Sequence, residues 1–457
     1  MIGVIPLRRQ CVAQQDINRV GDGFQKYFQH MIQAREFDPA ELKEFMEPIF
    51  EAAGYRRRVT LQSATEGHST SILLIHDAGI GDFIAMSAAI RETRRLYPKA
   101  HISLVIAPSS ADLAEHCPYI DEIIINDAKF NPLSIADMYA WNARLAKKLL
   151  AHRFDVCYAF NNKASSILLG YMSGAKELAA LKFGADTNYI FAVPNGIHSH
   201  HFASLITIEI PHKLCGNHMT DMLLGYLDHT LHAPIDNREL EVWYTPIDRN
   251  FVKDLINVKD DQKIYALAMG GSVSMKHWQP DRYAQLAMKI VEREPEVSFV
   301  ILGGGQLDAR YSDAFSRTVG ENFWSEHVID LTDKLNYRQS VAALNLCEMY
   351  IGNDTGATHA AASVKVPCLV TCCFPADIPM DDNVSTPKTW YPYHVPSVIV
   401  QPEHALSECR QSPSAYGCSV YHTPHCITQI TVEKMFEGYE LLKQRIADNN
   451  IEPLFIS

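Results

Sequence analysis

Residues 71–106 read SILLIHDAGIGDFIAMSAAIRETRRLYPKAHISLVI: an apolar hexamer, a turn holding two glycines, a run with helical character, and a second apolar strand. A strand that is apolar throughout, instead of alternating, belongs in a sheet covered on both faces, and two such strands joined through a helix run parallel. The stretch therefore predicts an α/β, doubly wound half. The pattern continues in EIIIN at 122–126, a helix through 143–150 and DVCYAF at 155–160. From about 160 to 245 the chain is less regular, with many Gly, Asn, His and Pro, and is the expected place for acceptor-binding loops.

A second alternation begins near Lys263. Strand candidates IYALAMGGS (264–272), SFVILGGG (298–305), HVIDLT (327–332), MYIGNDTG (349–356) and PCLVTCC (367–373) are separated by helical stretches. Two such series predict two Rossmann-like domains facing a central cleft, with ligand at the carboxyl ends of the strands. The expected division is an extension at 1–70, a first domain at 71–250, a second at 251–430, and a helix and tail at 431–457. In the extension, AELKEFMEPIFEAAG (40–54) places Leu42, Phe45, Met46 and Ile49 at helical spacing and ends at Gly54. It is expected to dock on a domain or on another subunit. The last helix is expected to pack back on the first domain.

The 457 residues exceed one comfortable core, and 47% hydrophobic with 21% charged residues is an ordinary globular composition. No run of about 18 apolar residues is present to span a bilayer. The opening MIGVIPLRRQ places its short apolar run before the arginines, which is the reverse of a secretory signal, so a cytoplasmic location is expected. Forty-one basic against fifty-three acidic residues give a net charge of −12, which argues against nucleic acid as a partner. The clusters Arg56, Arg57, Arg58 and Arg91, Arg94, Arg95 read as solvated helix surface.

Three turns could carry chemistry. In the first, DAGIGD (77–82), Gly79 and Gly81 permit a tight corner, and Asp82 falls in the first helical turn. That carboxylate either caps the helix or serves as a general base at the mouth of a strand, and the pattern leaves both open. GxGD is not the dinucleotide fingerprint GxGxxG. The second turn follows Gly270-Gly271 with Ser272, Ser274 and Lys276, two hydroxyls and a cation suited to a diphosphate, or a plain polar loop. Trp278 beside it reads as a packing anchor. The third places Asp354, Thr355 and Gly356 at a helix start, where free N–H groups attract anions, with His359 one turn along. Ala360, Ala361 and Ala362 let that helix approach the sheet.

In this order, GIGDFIAMSAAIRETRRLYPKAHISLVIA (79–107), SMKHWQPDRYAQLA (274–287), LGGG (302–305) and GNDTGATHAAASVKVPCLV (352–370) resemble glycosyltransferase family 9, the ADP-heptose heptosyltransferases. The resemblance implies a GT-B fold and inverting transfer from a nucleotide-diphosphate sugar, with no catalytic metal. Asp82 would be the base and Lys276 the phosphate-binding lysine. Ser272 and Ser274 would approach the diphosphate, and Asp354, Thr355, Gly356 and His359 would hold the donor. Gln306 or Asp308 would lie near the nucleoside. A glycan, a lipopolysaccharide core or a protein such as an autotransporter would be the acceptor. Peripheral membrane contact and homo-oligomer formation stay open. The alternatives are a GT-B transferase using another nucleotide sugar, or a catalytically silent scaffold relative. His76 and Asp77 replace an Arg-containing segment, Ser87 a frequent proline and Phe374 a frequent glycine, departures that bear on the acceptor.

Of eleven cysteines, Cys372, Cys373, Cys409, Cys418 and Cys426 gather in the last fifth. Cys373, Cys409, Cys418 and Cys426 could hold a structural zinc or iron as a small finger, although no CxxC is present. Free or buried thiols are the other reading.

Overall fold

The computed structural model describes residues 14–34, 38–55, 70–127, 135–161, 163–182, 199–211, 218–257, 262–378, 386–406 and 423–457. Strands β1 (Ser71–His76), β2 (His101–Ile106), β3 (Glu122–Ile125), β4 (Val156–Ala159), β5 (Glu177–Lys182) and β6 (Ile208–Pro211) form a parallel sheet in the order 3-2-1-4-5-6. Strands β7 (Lys263–Ala268), β8 (Val297–Ile301), β9 (Val328–Asp330), β10 (Met349–Asn353), β11 (Cys368–Thr371), β12 (Ser397–Val400) and β13 (Pro453–Ile456) form the second parallel sheet, in the order 9-8-7-10-11-12-13. Each sheet reverses its winding next to its own first strand, between β1 and β4 and between β7 and β10. That is the switch point where doubly wound sheets open a crevice.

The helices are α1 (Gln14–Ala34), α2 (Pro39–Ala52), α3 (Ile80–Leu96), the single turn α4 (Ala111–Ala114), α5 (Ile135–Leu149), α6 (Ala164–Met172), α7 (Met219–Leu231), α8 (Pro246–Ile256), α9 (Pro280–Arg293), α10 (Gln306–Val319), α11 (Glu321–His327), α12 (Tyr337–Leu344), α13 (Gly356–Ser363) and α14 (Val432–Ala447). Helices α3, α7, α12 and α13 lie between the sheets and share one apolar core with both inner faces. The outer face of the first sheet is covered by α1, α2, α5 and α6, and that of the second by α9 and α14. Ile72, Leu73, Leu74 and Ile75 of β1 are fully buried because helices cover both faces, which is why the strand reads as a continuous apolar run. Among the described residues no helix is long and apolar enough to cross a membrane.

Four expectations change. Among the described residues the extension holds two helices, where one was expected. The first was hidden because Gly21 and Gly23 interrupt its pattern, yet it buries Val20, Phe24 and Phe28. Both helices dock on their own first sheet, with Phe24 and Phe50 edge-on to Tyr171. Within α2 the buried stripe is Leu42, Met46 and Phe50, while Phe45 is exposed. The irregular stretch at 160–245 contains β5, β6, α6 and α7, short elements whose flanking segments masked their period. The last helix packs on β11, β12 and α9 of the second half and leads into the edge strand β13, instead of returning to the first half.

The arginines of α3 are braces: Arg91 meets Glu241 at 2.9 Å, Arg94 meets Asp121 at 2.6 Å and Arg95 meets Glu92 at 2.8 Å. Residues 56–58 lie outside the described residues. Arg338 at the start of α12 ties the halves together: its Nε donates to Asp248 (2.9 Å), its Nη1 to Glu115 (2.7 Å) and its backbone N–H to Asp112 (2.9 Å).

Candidate active site in the cleft

The two switch points face each other across a cleft of about 890 Å³. From the first half it is lined by the turn after β1 (Gly79, Gly81, Asp82), by His76 and by Lys163 after β4. From the second half it is lined by Ser272 and Lys276 after β7 and by Asp354, Thr355, Gly356 and His359 after β10. Residues far apart in the chain, such as Gly81 and Gly356, thus meet because β1 and β10 each deliver their following helix to the same gap. Ser274 opens the 3-10 turn Ser274–Lys276 but does not line the cleft.

The two helix starts abut at the cleft. A Cβ on Gly81 would lie 2.8 Å from His359 Cδ2 and 3.4 Å from the Gly356 Cα, so glycine is what lets α3 and α13 abut. Asp82 sits at this junction. One of its oxygens accepts the Gly79 N–H at 3.1 Å, which caps the helix and fixes the carboxylate at the cleft edge. The cap and the base readings are thereby compatible, since the second oxygen is left for other work.

His359 is buried, its ring 5.6 Å from that of Trp390. Burial pushes its pKa down, against the opposing pull of Asp354 and Asp82, so it is neutral near pH 7. His76 is buried at the end of β1, with its pKa likewise lowered by burial, and its Nδ1 has no hydrogen-bond partner among the described residues. Lys163, with its side chain 6% exposed, donates from Nζ to the Asp77 carbonyl at 2.9 Å. Burial lowers its pKa, while Asp77 and Asp82 raise it. Asp77 itself is tied to Asn126 (2.7 Å), Ser166 (3.0 Å) and Asn161, so it shapes the turn and is not free to react.

On the facing side, Lys276 Nζ is 2.8 Å from Asp354 Oδ2. Gly271 has φ +149, and a Cβ there would meet Thr355 Cγ2 at 2.7 Å, which brings the loop after β7 against the α13 start. His277 fixes that loop by bridging the Gly271 carbonyl (3.0 Å) and Tyr311 Oη (3.1 Å). Trp278 is fully buried and donates from Nε1 to the Ile430 carbonyl at 2.9 Å, the packing role expected of it. At the LGGG corner, Asp308 lines the cleft, accepts the Gly304 N–H at 2.7 Å through Oδ2, and leaves Oδ1 without a hydrogen-bond partner among the described residues. Gln306 does not line it.

Asn353 holds the two loops in register. Its Oδ1 accepts from Trp278 N (3.0 Å), Tyr283 Oη (2.9 Å) and Thr371 Oγ1 (2.9 Å), and its Nδ2 donates to the Met269 carbonyl. Asn353→Ala strands several buried polar groups at once and is expected to destabilise the protein by about 3 kcal/mol or more. The check is a urea midpoint with unchanged slope.

Such loops and helix starts at paired switch points of two doubly wound sheets define a GT-B glycosyltransferase architecture. The model of glycosyltransferase family 9 (heptosyltransferase) matches residues 142–371, and the chain belongs to that family. A Haemophilus influenzae protein with a provisional glycosyltransferase name is 29% identical over 105 residues, a match spanning 23% of this chain and only 28% of that protein. Three solved structures share the fold. The family 9 glycosyl transferase from Veillonella parvula has 18% identity and TM-score 0.63, over 84% of this chain and 99% of that one. The E. coli ADP-heptose LPS heptosyltransferase II has 15% identity and TM-score 0.58, over 83% and 100%. E. coli heptosyltransferase WaaC with ADP has 12% identity and TM-score 0.54, over 83% and 100%.

Sequence reasoning missed Lys163, His277, Asn353 and Trp390. Lys163 was within reach, because it follows β4 at the switch point. Asn353 and His277 act through buried hydrogen bonds, which no local pattern announces.

Proposed function

We propose that the chain transfers a sugar, heptose from ADP-heptose, with inversion to a hydroxyl of a glycan, a lipopolysaccharide core or a protein. Asp82 Oδ1 takes the proton from the attacking hydroxyl as that oxygen bonds to the anomeric carbon and the bond to the diphosphate breaks. Lys276 and the N–H groups at the start of α13 receive the departing charge, and Ser272 lies beside them. Asp308 at the LGGG corner lines the nucleoside end of the cleft. The carrying observation is that Asp82 and the Lys276–Asp354 pair open into one cleft from opposite halves. A silent scaffold has no use for that opposition.

The test is a thermal-shift panel of ADP-heptose beside ADP-, UDP- and GDP-hexoses, followed by turnover with the donors that bind. ADP-heptose is expected to give the largest rise in melting temperature. A rise with UDP sugars alone would replace the donor and leave the transfer chemistry standing.

For the cysteines, Cys373 and Cys426 are buried and near enough for charge on one to act on the other, with Cys426 Sγ 3.5 Å from His425 Nδ1. Cys409 and Cys418 lie outside the described residues. The buried pair suits two ligands of the Cys373, Cys409, Cys418, Cys426 set for a structural iron or zinc. Protein purified without added metal is expected to carry iron or zinc on these thiolates, and Cys373→Ser to lower the metal content by about one ion per chain, as four thiolates make one tetrahedral site. Metal content near zero in the wild type would remove the finger.

A further inference from the structure

The first sheet carries a second chemical cluster at the end away from the cleft, where the strands begin. His101 opens β2, Glu122 opens β3, and His152 ends the 3-10 turn Leu150–His152 that precedes β4. The register explains their meeting. Ser103 pairs with Glu122 across β2 and β3, and His101, two residues before Ser103, shares its face of the sheet. The result is two imidazoles aimed at one carboxylate oxygen: Glu122 Oε2 is 3.9 Å from His101 Nε2 and 3.5 Å from His152 Nε2. The rings are nearly parallel, 8° apart, with centroids at 6.1 Å.

We propose that His101, Glu122 and His152 form a divalent transition-metal site of the zinc type, separate from the cleft. All three ligand atoms lie within 4.8 Å of one another. A tetrahedral zinc with bonds of about 2.0–2.1 Å needs its ligand atoms roughly 3.3 Å apart, so only a small inward movement closes the site. Two neutral imidazoles and one carboxylate match the ligand chemistry of zinc, and of cobalt as its spectroscopic substitute. Ser103 Oγ donates to Glu122 Oε2 at 3.0 Å and orients the carboxylate. Lys148 Nζ stands 3.8 Å from the other oxygen, Oε1, on an exposed side chain that can turn away. The site is partly open, with the three side chains 14–30% exposed, so water completes the coordination. Its effect is to pin β2, β3 and the turn before β4 into one unit. The cleft lies at the opposite ends of these strands, which makes the ion a structural clamp instead of a participant in transfer.

The test uses the full chain treated with chelator and titrated with Co(II). The wild type is expected to develop visible d–d bands that His101→Gln and His152→Gln remove, beside any near-ultraviolet thiolate absorption from the proposed cysteine site, which those variants leave unchanged. Zn(II) should displace the cobalt and raise the melting temperature. His101→Gln, His152→Gln and Glu122→Gln should each lower Co(II) affinity at least about tenfold, since loss of an orienting partner alone costs 10- to 100-fold. Far-UV circular dichroism and ADP binding, unchanged from wild type, confirm that the variants fold. Wild-type affinity in the two histidine variants, or a cobalt spectrum carrying only thiolate bands, overturns the assignment.

Discussion

Asp82→Asn is expected to lower the rate of sugar transfer by roughly 10²–10⁴-fold, the usual contribution of a positioned general base, with donor affinity nearly unchanged. The amide keeps the size of the carboxylate, and its oxygen still accepts the Gly79 N–H, so the helix cap survives. What disappears is an acceptor for the proton of the attacking hydroxyl. A structural role alone would show instead as a loss of stability, about 1 kcal/mol for a weakened cap, with transfer intact in the protein that remains folded. Single-turnover rates and ADP affinity, measured beside a urea titration, separate the two. Transfer at the wild-type rate sinks the assignment.

The surroundings sharpen that expectation. His359 and His76 flank Asp82 and are held neutral by burial, so neither supplies a competing positive charge near pH 7. Lys163 is the nearby cation, anchored through the Asp77 carbonyl. As pH falls, the depressed histidine pKa values keep both rings neutral below the range where an exposed histidine would take up a proton.

The fold was legible because parallel strands buried on both faces leave continuous apolar runs, and β1, β2, β7, β8 and β10 all do so. Elements covered on one side, or interrupted by glycine, left no such trace: α1 buries Phe24 and Phe28 through contacts with residues more than a hundred positions away. Asp82, Lys276 and Asp354 could be named because glycine-bearing turns after strands have a recognisable chemistry. Their convergence could be inferred only from two-domain architecture. Lys163 lay in a stretch that reads as loop. The role of Asn353 depends on four partners from separate segments, information that exists only once the sheet has formed. Ser274 is the reverse case, a hydroxyl at the right spacing that the 3-10 turn leaves outside the cleft lining.

Lys276→Ala should act on the other half of the reaction. Lys276 and Asp354 form a close pair, with side chains only 25% and 17% exposed. A diphosphate entering the cleft would meet a lysine already paired with Asp354, one positive charge shared between the carboxylate and the incoming phosphates. Removal of the ammonium therefore subtracts an attractive charge and unmasks a repulsive one. The expected loss in kcat/KM is about 10²–10³-fold, the scale of losing one preorganised stabiliser of developing negative charge. ADP binding should weaken in parallel, because product and leaving group carry the same diphosphate. Lys276→Arg should recover only part, since a planar guanidinium does not reproduce a compact ammonium at a point contact. The double variant Lys276→Ala with Asp354→Asn is the discriminating measurement. If the lysine works partly by masking Asp354, neutralising that carboxylate restores some ADP affinity, and the two changes are non-additive. Full additivity would mean that the pair is coupled in the free protein only and that the phosphate meets Lys276 alone. ADP affinity unchanged in Lys276→Ala would place the diphosphate elsewhere in the cleft.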